Sequence, residues 1–198
     1  MRDKNIGCCV TGSFCTFDRA FDAYRQFAAA GARLLPVMSE NAYGTDTRFH
    51  TASDARAIFE EIAGREIIHT IRDAEPIGPK KMVDLMVVMP CTGNTISKIA
   101  NAVVDTPAVM AVKSTLRAGR PVLIAVSTND GLGNCAKNIG QLLALKNVFF
   151  VPFAQDDPEN KPQSVVARFD LAREAAQAAL EGRQIQPILT TNVKNKKL

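Results

Sequence analysis

Thr92, Gly93, Asn94 and Thr95 are small and polar, and they stand between two apolar patterns of different period. Before them Leu85–Met89 is a short continuous apolar run, the pattern of a parallel strand buried on both faces. After them Ile96, Ile99, Ala100 and Val103 recur at helical spacing. Hydroxyls and amides at such a junction can hold an anion, because free backbone N–H groups and the helix dipole point there. The same residues also suit a helix that binds nothing, with Asn94 or Thr95 as its cap and Gly93 easing the turn.

A second junction repeats the arrangement. Ile6–Val10 reads as a strand, Thr11-Gly12-Ser13-Phe14 as its turn, and Phe17–Ala30 as a helix carrying Phe17, Phe21, Tyr24 and Phe27 on one face. Gly12 lets the backbone approach a ligand, and Ser13 can donate to a phosphate, or simply cap the helix. A full Gly-x-Gly-x-x-Gly is missing, so this is not a dinucleotide fingerprint. A third polar stretch, Ser127–Asn134, follows the apolar run Val122–Val126. Asn129 there can bind a carboxylate through its amide, or serve only the turn that Asn-Asp-Gly favours. Lys113 and Arg117 are further carboxylate partners by type, although a solvated helix face accounts for both. His69 lies in an apolar run and reads as structural, whereas His50 lies in a polar loop. No residue is identified as a catalytic base. The five cysteines lack metal-ligand spacing and are odd in number, so reduced thiols in a cytoplasmic protein are expected, with no metal.

The elements that must position these residues alternate in type. Strands are expected at 6–10, 32–38, 66–70, 85–89, 122–126 and 148–152, with Pro36 marking an edge or a bend. Helices are expected between them, capped by Ser53 over 54–63, running from Thr106-Pro107 to Arg117, and over 135–145. A last amphipathic helix is expected over Val165–Leu180, stopped at Gly182. The fold class is therefore α/β: a doubly wound, Rossmann-like, six-stranded parallel sheet in the order 3-2-1-4-5-6 with helices on both faces. Residues 1–183 read as one domain and 184–198 as an extended tail ending in the basic Lys194–Lys197. A net charge of +4 is too modest and too scattered for nucleic-acid binding, and no apolar run is long enough to span a bilayer.

The string Pro90-Cys-Thr-Gly-Asn-Thr-Ile-Ser-Lys-Ile-Ala resembles the Pro-Ala-Ser/Thr-x-Asn-Thr-Ile/Leu-x-Lys-x-Ala signature of the homo-oligomeric flavin-containing cysteine decarboxylases, a flavoprotein superfamily. Pro90, Asn94, Thr95, Ile96, Lys98 and Ala100 match, while Cys91 and Gly93 depart. The resemblance implies FMN, its phosphate gripped at Gly12, Ser13 and Phe14, with Ser39, Thr92, Gly93, Asn94, Thr95 and Ser127 around the rest. It also implies that Asn129 stands where these enzymes carry a substrate-binding Asn, and that Asn138-Ile139 matches a further Asn-apolar pair. Their catalytic His, a few residues before the position of Asp84, is replaced near Pro76-Ile77, so their acid/base chemistry loses its group.

Within that superfamily the chain is similar to the dipicolinate synthase B subunits, on the strings Pro90–Asn101, Val112–Arg117, Ser127–Gly133 and Phe150–Pro158. That similarity implies an oxidoreductase of bacterial sporulation, taking a dihydrodipicolinate-type dicarboxylate to pyridine-2,6-dicarboxylate. It implies a partner, the A subunit of that enzyme, which binds NADP or NAD, and a homo-oligomer. The alternatives are a decarboxylase-like FMN enzyme and a cofactor-free structural or regulatory subunit. The Ala- and Val-rich helix at 107–116 could pack on a neighbouring copy or on its own sheet.

Overall fold

Every residue of the strand that carries the motif, β3 (Leu85–Cys91), is buried, as expected for a strand covered on both faces. The computed structural model describes residues 1–191. Around β3 the chain runs β1 (Asn5–Val10), α1 (Phe17–Ala29), β2 (Arg33–Met38), α2 (Glu40–Gly44), α3 (Ala52–Ala63) and α4 (Ile71–Ala74). After β3 come α5 (Gly93–Ala100), α6 (Pro107–Arg117), β4 (Val122–Thr128), α7 (Ala136–Leu143), β5 (Val148–Phe150), β6 (Phe153–Ala154), β7 (Val165–Ala167) and α8 (Ala172–Leu180).

β1 pairs in parallel with β2 on one side and β3 on the other, and β3 pairs in parallel with β4. The strand order therefore reverses between β1 and β3, and their carboxyl-end loops open side by side. Cys8 and Cys9 face opposite sides, as alternation requires, and each joins a different apolar cluster. The Cys8 side packs on Phe17, Phe21, Tyr24 and Phe27 of α1, on Phe59 of α3 and on the alanines of α8. The Cys9 side packs on Ile96 of α5, Ala108, Ala111 and Val112 of α6, and Ile139 and Leu142 of α7. The Tyr24 hydroxyl donates to the carbonyls of Cys9 (3.2 Å) and Val87 (3.3 Å), which lets a polar tip sit in the core at no unsatisfied cost.

The sheet differs from the expected one in three places. The expected strand at 66–70 is a single parallel bridge, Ile68 to Val37, leaving β2 with its Pro36 as the edge of the ladder. The expected strand at 148–152 bends after Phe150, so that Phe153–Ala154 forms a separate strand. The expected helix at 165–180 begins only at Ala172, because Val165–Ala167 is a strand lying antiparallel on Ser127 and Thr128 of β4 and on β6. The sheet is thus seven-stranded and mixed, in the order β2-β1-β3-β4-β7-β6, with β5 also on β4. Smaller shifts concern helix ends: Thr51 rather than Ser53 caps α3, accepting from the Asp54 amide at 3.1 Å.

Helix α6 buries Ala108, Val109, Ala111 and Val112 within its own chain, which settles its apolar face on the sheet rather than on a neighbour. Beyond α8, Gln184 exchanges two 2.7 Å bonds with the backbone of Phe150, and Ile188 and Thr190 bond the backbone of Phe153. The expected basic stretch Lys194–Lys197 lies outside the described residues.

Candidate functional site

Thr11 joins the first two loops. Its hydroxyl donates to the Pro90 carbonyl at 2.8 Å and accepts from the Thr92 amide at 3.0 Å, while its own amide donates to the same Pro90 carbonyl at 3.2 Å. The side chain is buried, so these bonds act in a low dielectric and fix the end of β1 against the end of β3. Sequence reasoning passed over Thr11 because it reads as one more small turn residue. Its partners lie about eighty positions away, where no local pattern reaches.

The cap of α5 is Thr92, whose Oγ1 accepts from the Thr95 amide at 3.2 Å and donates to Thr95 Oγ1 at 3.0 Å. This corrects the capping role offered to Asn94 or Thr95, and it leaves Asn94 exposed, with no side-chain hydrogen bond among the described residues. The amides of Gly93 and Asn94 are the unpaired donors that every helix start presents. Gly93 has a packing reason: a Cβ there would stand 2.7 Å from Thr128 Oγ1 and 2.8 Å from Asp130 Oδ1. Gly12 differs, since a Cβ there would meet only Phe14 at 3.6 Å and Asn41 at 3.7 Å.

Ser13 does not cap a helix with its side chain. Its hydroxyl instead pairs with Ser127 Oγ at 2.8 Å, and Thr16 Oγ1 donates to the Ser13 carbonyl at 2.8 Å. The loop after β1 is thereby tied to the end of β4. Ser39 caps α2, accepting from the Ala42 amide at 3.3 Å, which leaves its own proton free.

Two adjoining cavities open at this end of the sheet, of about 1160 and 380 Å³, and both are lined by Gly12, Phe14, Thr92 and Asn94. Ser13, Gly93, Ser127 and Asn129 line the larger, and Ser39 and Thr95 the smaller. The nine residues expected around a cofactor, and Asn129, therefore line these two cavities. Asn138 is not among them: it donates to Ser97 Oγ at 2.9 Å and accepts from Asn101 at 3.2 Å, tying α7 to α5. Lys113 and Arg117 lie on the exposed face of α6, away from both cavities, with Arg117 4.0 Å from Glu75.

The histidines are also elsewhere. His50 Nε2 lies 2.7 Å from Asp18 Oδ1, and His69 stacks on Tyr43 with ring centroids 4.0 Å apart. Ile77, near the place where the resemblance puts the decarboxylase imidazole, is a core residue. Burial raises the thiol pKa of Cys91, beneath the motif, and pushes that of Cys135 up to about 11, so both are neutral rather than nucleophilic. The sequence did not flag Arg19, Arg48 and Lys161, which line the larger cavity with Asp130 and Asp156. Each comes from a different element and follows no motif.

The donor set suits FMN. The Ser13 hydroxyl, the amides opening α5 and the free Asn94 carboxamide are what a phosphate and flavin carbonyls require, and Phe14 offers an apolar wall. The open side of Gly12 leaves room for close approach.

The Flavoprotein family model matches residues 1–181. The B subunit of dipicolinate synthase from Bacillus subtilis (strain 168) is 44% identical over 192 residues, covering 97% of this chain and 96% of that protein. The solved B subunit of dipicolinate synthase from Bacillus halodurans C superposes with a TM-score of 0.89 at 41% identity, covering 96% of this chain and 98% of the other. The FMN-dependent cysteine decarboxylase SpaF shares the fold, with a TM-score of 0.64 at 17% identity over 90% of this chain and 97% of its own. The chain therefore belongs to the Flavoprotein family, among the dipicolinate synthase B subunits.

Proposed function

We propose that this chain is the flavin-binding subunit of a dipicolinate synthase. It would oxidise a dihydrodipicolinate-type ring to pyridine-2,6-dicarboxylate for bacterial spores, in the cytoplasm, with an A subunit that carries NADP or NAD. The observation that carries this reading is the donor-lined double cavity, in which Asn94 is left unpaired while Thr92 does the capping. The likeness to the B subunits supports the substrate, and the FMN named for SpaF supports the cofactor. Residues 1–183 would act as one domain and assemble into a homo-oligomer, as the dodecameric Escherichia coli O157:H7 decarboxylase of the same fold does.

FMN would be held by Gly12, Ser13, Phe14, Ser39, Thr92, Gly93, Asn94, Thr95 and Ser127, and when bound would supply two-electron redox chemistry at the cavity. Ser13 and the amides of Gly93 and Asn94 would donate hydrogen bonds to a phosphate, and Phe14 would exclude water from one side. Asn129, exposed on the rim of the larger cavity, orients a substrate carboxylate.

The chain alone is expected to be inactive in dipicolinate formation. The test is a visible spectrum of the purified chain after incubation with FMN, followed by synthase assays with and without the A subunit. A flavin spectrum that survives gel filtration, with turnover only when both proteins are present, is the expected result. Turnover by the isolated chain with only flavin or nicotinamide added would contradict the division of labour.

A further inference from the structure

The larger cavity is also lined by charged side chains from outside the motif. Arg19 reaches it from α1, Arg48 from the loop between α2 and α3, and Lys161 from the loop between β6 and β7. Among the described residues, none of the three stands within ion-pair distance of a carboxylate. Arg19 is held in place by other means: its guanidinium lies 4.7 Å over the Phe169 ring, and Nη2 approaches the Ala167 carbonyl at 3.5 Å. Asp170, the nearby acid, is already taken by Arg168 through bonds of 2.7 and 2.9 Å. Burial lowers the Arg19 pKa, and the fields of Asp170 and Asp156 oppose that. An arginine stays charged after such a shift.

Asp156 lines the same cavity, and its buried Oδ1 has no hydrogen-bond partner among the described residues. A buried carboxylate oxygen with no donor is uncommon and is best explained by a group that arrives later. The cavity wall thus offers free cations and an unfilled acceptor together.

We propose that Arg19 and Lys161 hold the two carboxylates of the ring substrate and that Asp156 accepts the proton that the ring gives up. This rests on the ring substrate of the proposed function. A 2,3-dihydropyridine with carboxylates on both carbons flanking the nitrogen presents two anions and an acidic C–H on a saturated carbon, and the complement is two cations and a base. In the step itself a C–H bond of the saturated carbon that bears the carboxylate breaks with its electron pair, leaving as hydride to an acceptor of the flavin or nicotinamide class. The C–H bond of the adjacent saturated carbon breaks, its proton passing to the Asp156 carboxylate. The electron pair left behind forms the last double bond of the pyridine ring, and Asp156 then returns its proton to water. Electrostatic holding of both carboxylates also discriminates against rings that carry only one.

The test uses the full chain and its product. Calorimetry with pyridine-2,6-dicarboxylate is expected to show binding weakened tenfold to a hundredfold in Arg19→Gln and in Lys161→Gln. Pyridine-2-carboxylate should lose less in one of the two. Asp156→Asn is expected to split two readouts. Product binding tightens threefold or more, because a negative charge facing two carboxylates and a nitrogen lone pair is gone. Turnover in the presence of the A subunit falls on the order of a hundredfold to ten-thousandfold, the usual share of a general base. Asp156→Glu keeps the base and should restore part of the turnover. Product binding and turnover falling in parallel in Asp156→Asn, or unchanged turnover, would overturn the role of Asp156. No product binding by the wild type at millimolar concentration would overturn the anion subsite. Failure of the flavin spectrum and of all turnover is a different result, and it would strike the proposed function instead. In that event, product binding that still depends on Arg19 would uphold the subsite.

Discussion

At the β1 and β3 end of the cleft, the cavity wall is mostly hydroxyl, amide and backbone N–H, with Glu40 and the ion-paired Lys98 lining the smaller cavity, and its loops are tied by Thr11 and capped by Thr92. At the β4, β6 and β7 end, the wall is charged, and its side chains arrive from four separated segments of the chain. The first end is tied by hydrogen bonds between its loops and encoded in strings of four to six residues. The second is assembled by long-range pairing, with cations that the fold itself leaves unpaired. On the proposed function, one end would hold a group that stays, and the other would meet an anion that comes and goes. That contrast can be broken or sharpened by experiment.

The largest effect expected is on the motif end, at high pH. Cys8 and Cys9 of β1 and Cys91 of β3 lie beneath it, and burial raises all three thiol pKa values above 9.0. The unfolded chain releases these protons near its ordinary thiol pKa and the folded chain does not. Stability is therefore full below about pH 9 and declines as pH rises above it, by about 1.4 kcal/mol per thiol per pH unit. Chemical denaturation of the reduced protein at pH 8 and pH 10 should show a loss of a few kcal/mol. Replacing Cys8 by Ser would not test this, since it buries a hydroxyl, whereas Cys8→Ala should flatten the slope.

Next in size is Thr11→Val. The substitution keeps the shape, removes the bond to the Pro90 carbonyl and leaves the Thr92 amide without its acceptor, costing about 1–3 kcal/mol. Because the lost bonds join the two loops that face the smaller and larger cavities, FMN affinity should fall with stability. A melting curve and a flavin titration on the same sample check both.

How far the two ends could be read from the sequence follows the same division. The junctions at Thr11–Phe14 and Thr92–Thr95 were legible, because a strand, a small polar turn and a helix lie within twenty residues and each signals its own period. The order of β2, β1, β3 and β4 followed from right-handed crossovers. The strand at Val165–Ala167 was not legible: Val165 and Val166 run on into Phe169, Ala172 and Ala175 as one helical stripe. Only pairing with Ser127 and Thr128, nearly forty positions earlier, makes them a strand. The cavity positions of Arg19, Arg48 and Lys161 were hidden for the same reason, since nothing local distinguishes a cavity cation from a surface one. The strand at Glu66–Thr70 was overread, because an edge needs little sequence and this one keeps a single bridge at Ile68.

The smallest effect is a designed near-zero. Lys161 is exposed and makes no ion pair among the described residues, so Lys161→Ala should change stability by no more than about 0.5 kcal/mol. FMN affinity should hold within about twofold, as expected of a residue outside the motif end. A larger drop in FMN affinity would mean that the two ends share one ligand.

The central claim, that the motif end holds the flavin, is tested most directly at Asn94. Asn94→Asp scarcely changes volume, but it removes an amide donor and adds a negative charge beside a phosphate or a flavin carbonyl. Thr92 remains the cap, so stability should be unchanged. FMN titration followed by fluorescence quenching should show affinity lowered tenfold to a hundredfold, the worth of a hydrogen bond to a charged partner at about 1.5–3 kcal/mol. Equal affinities in wild type and variant would remove Asn94 from the site, and absence of binding in both would contradict the flavin assignment itself.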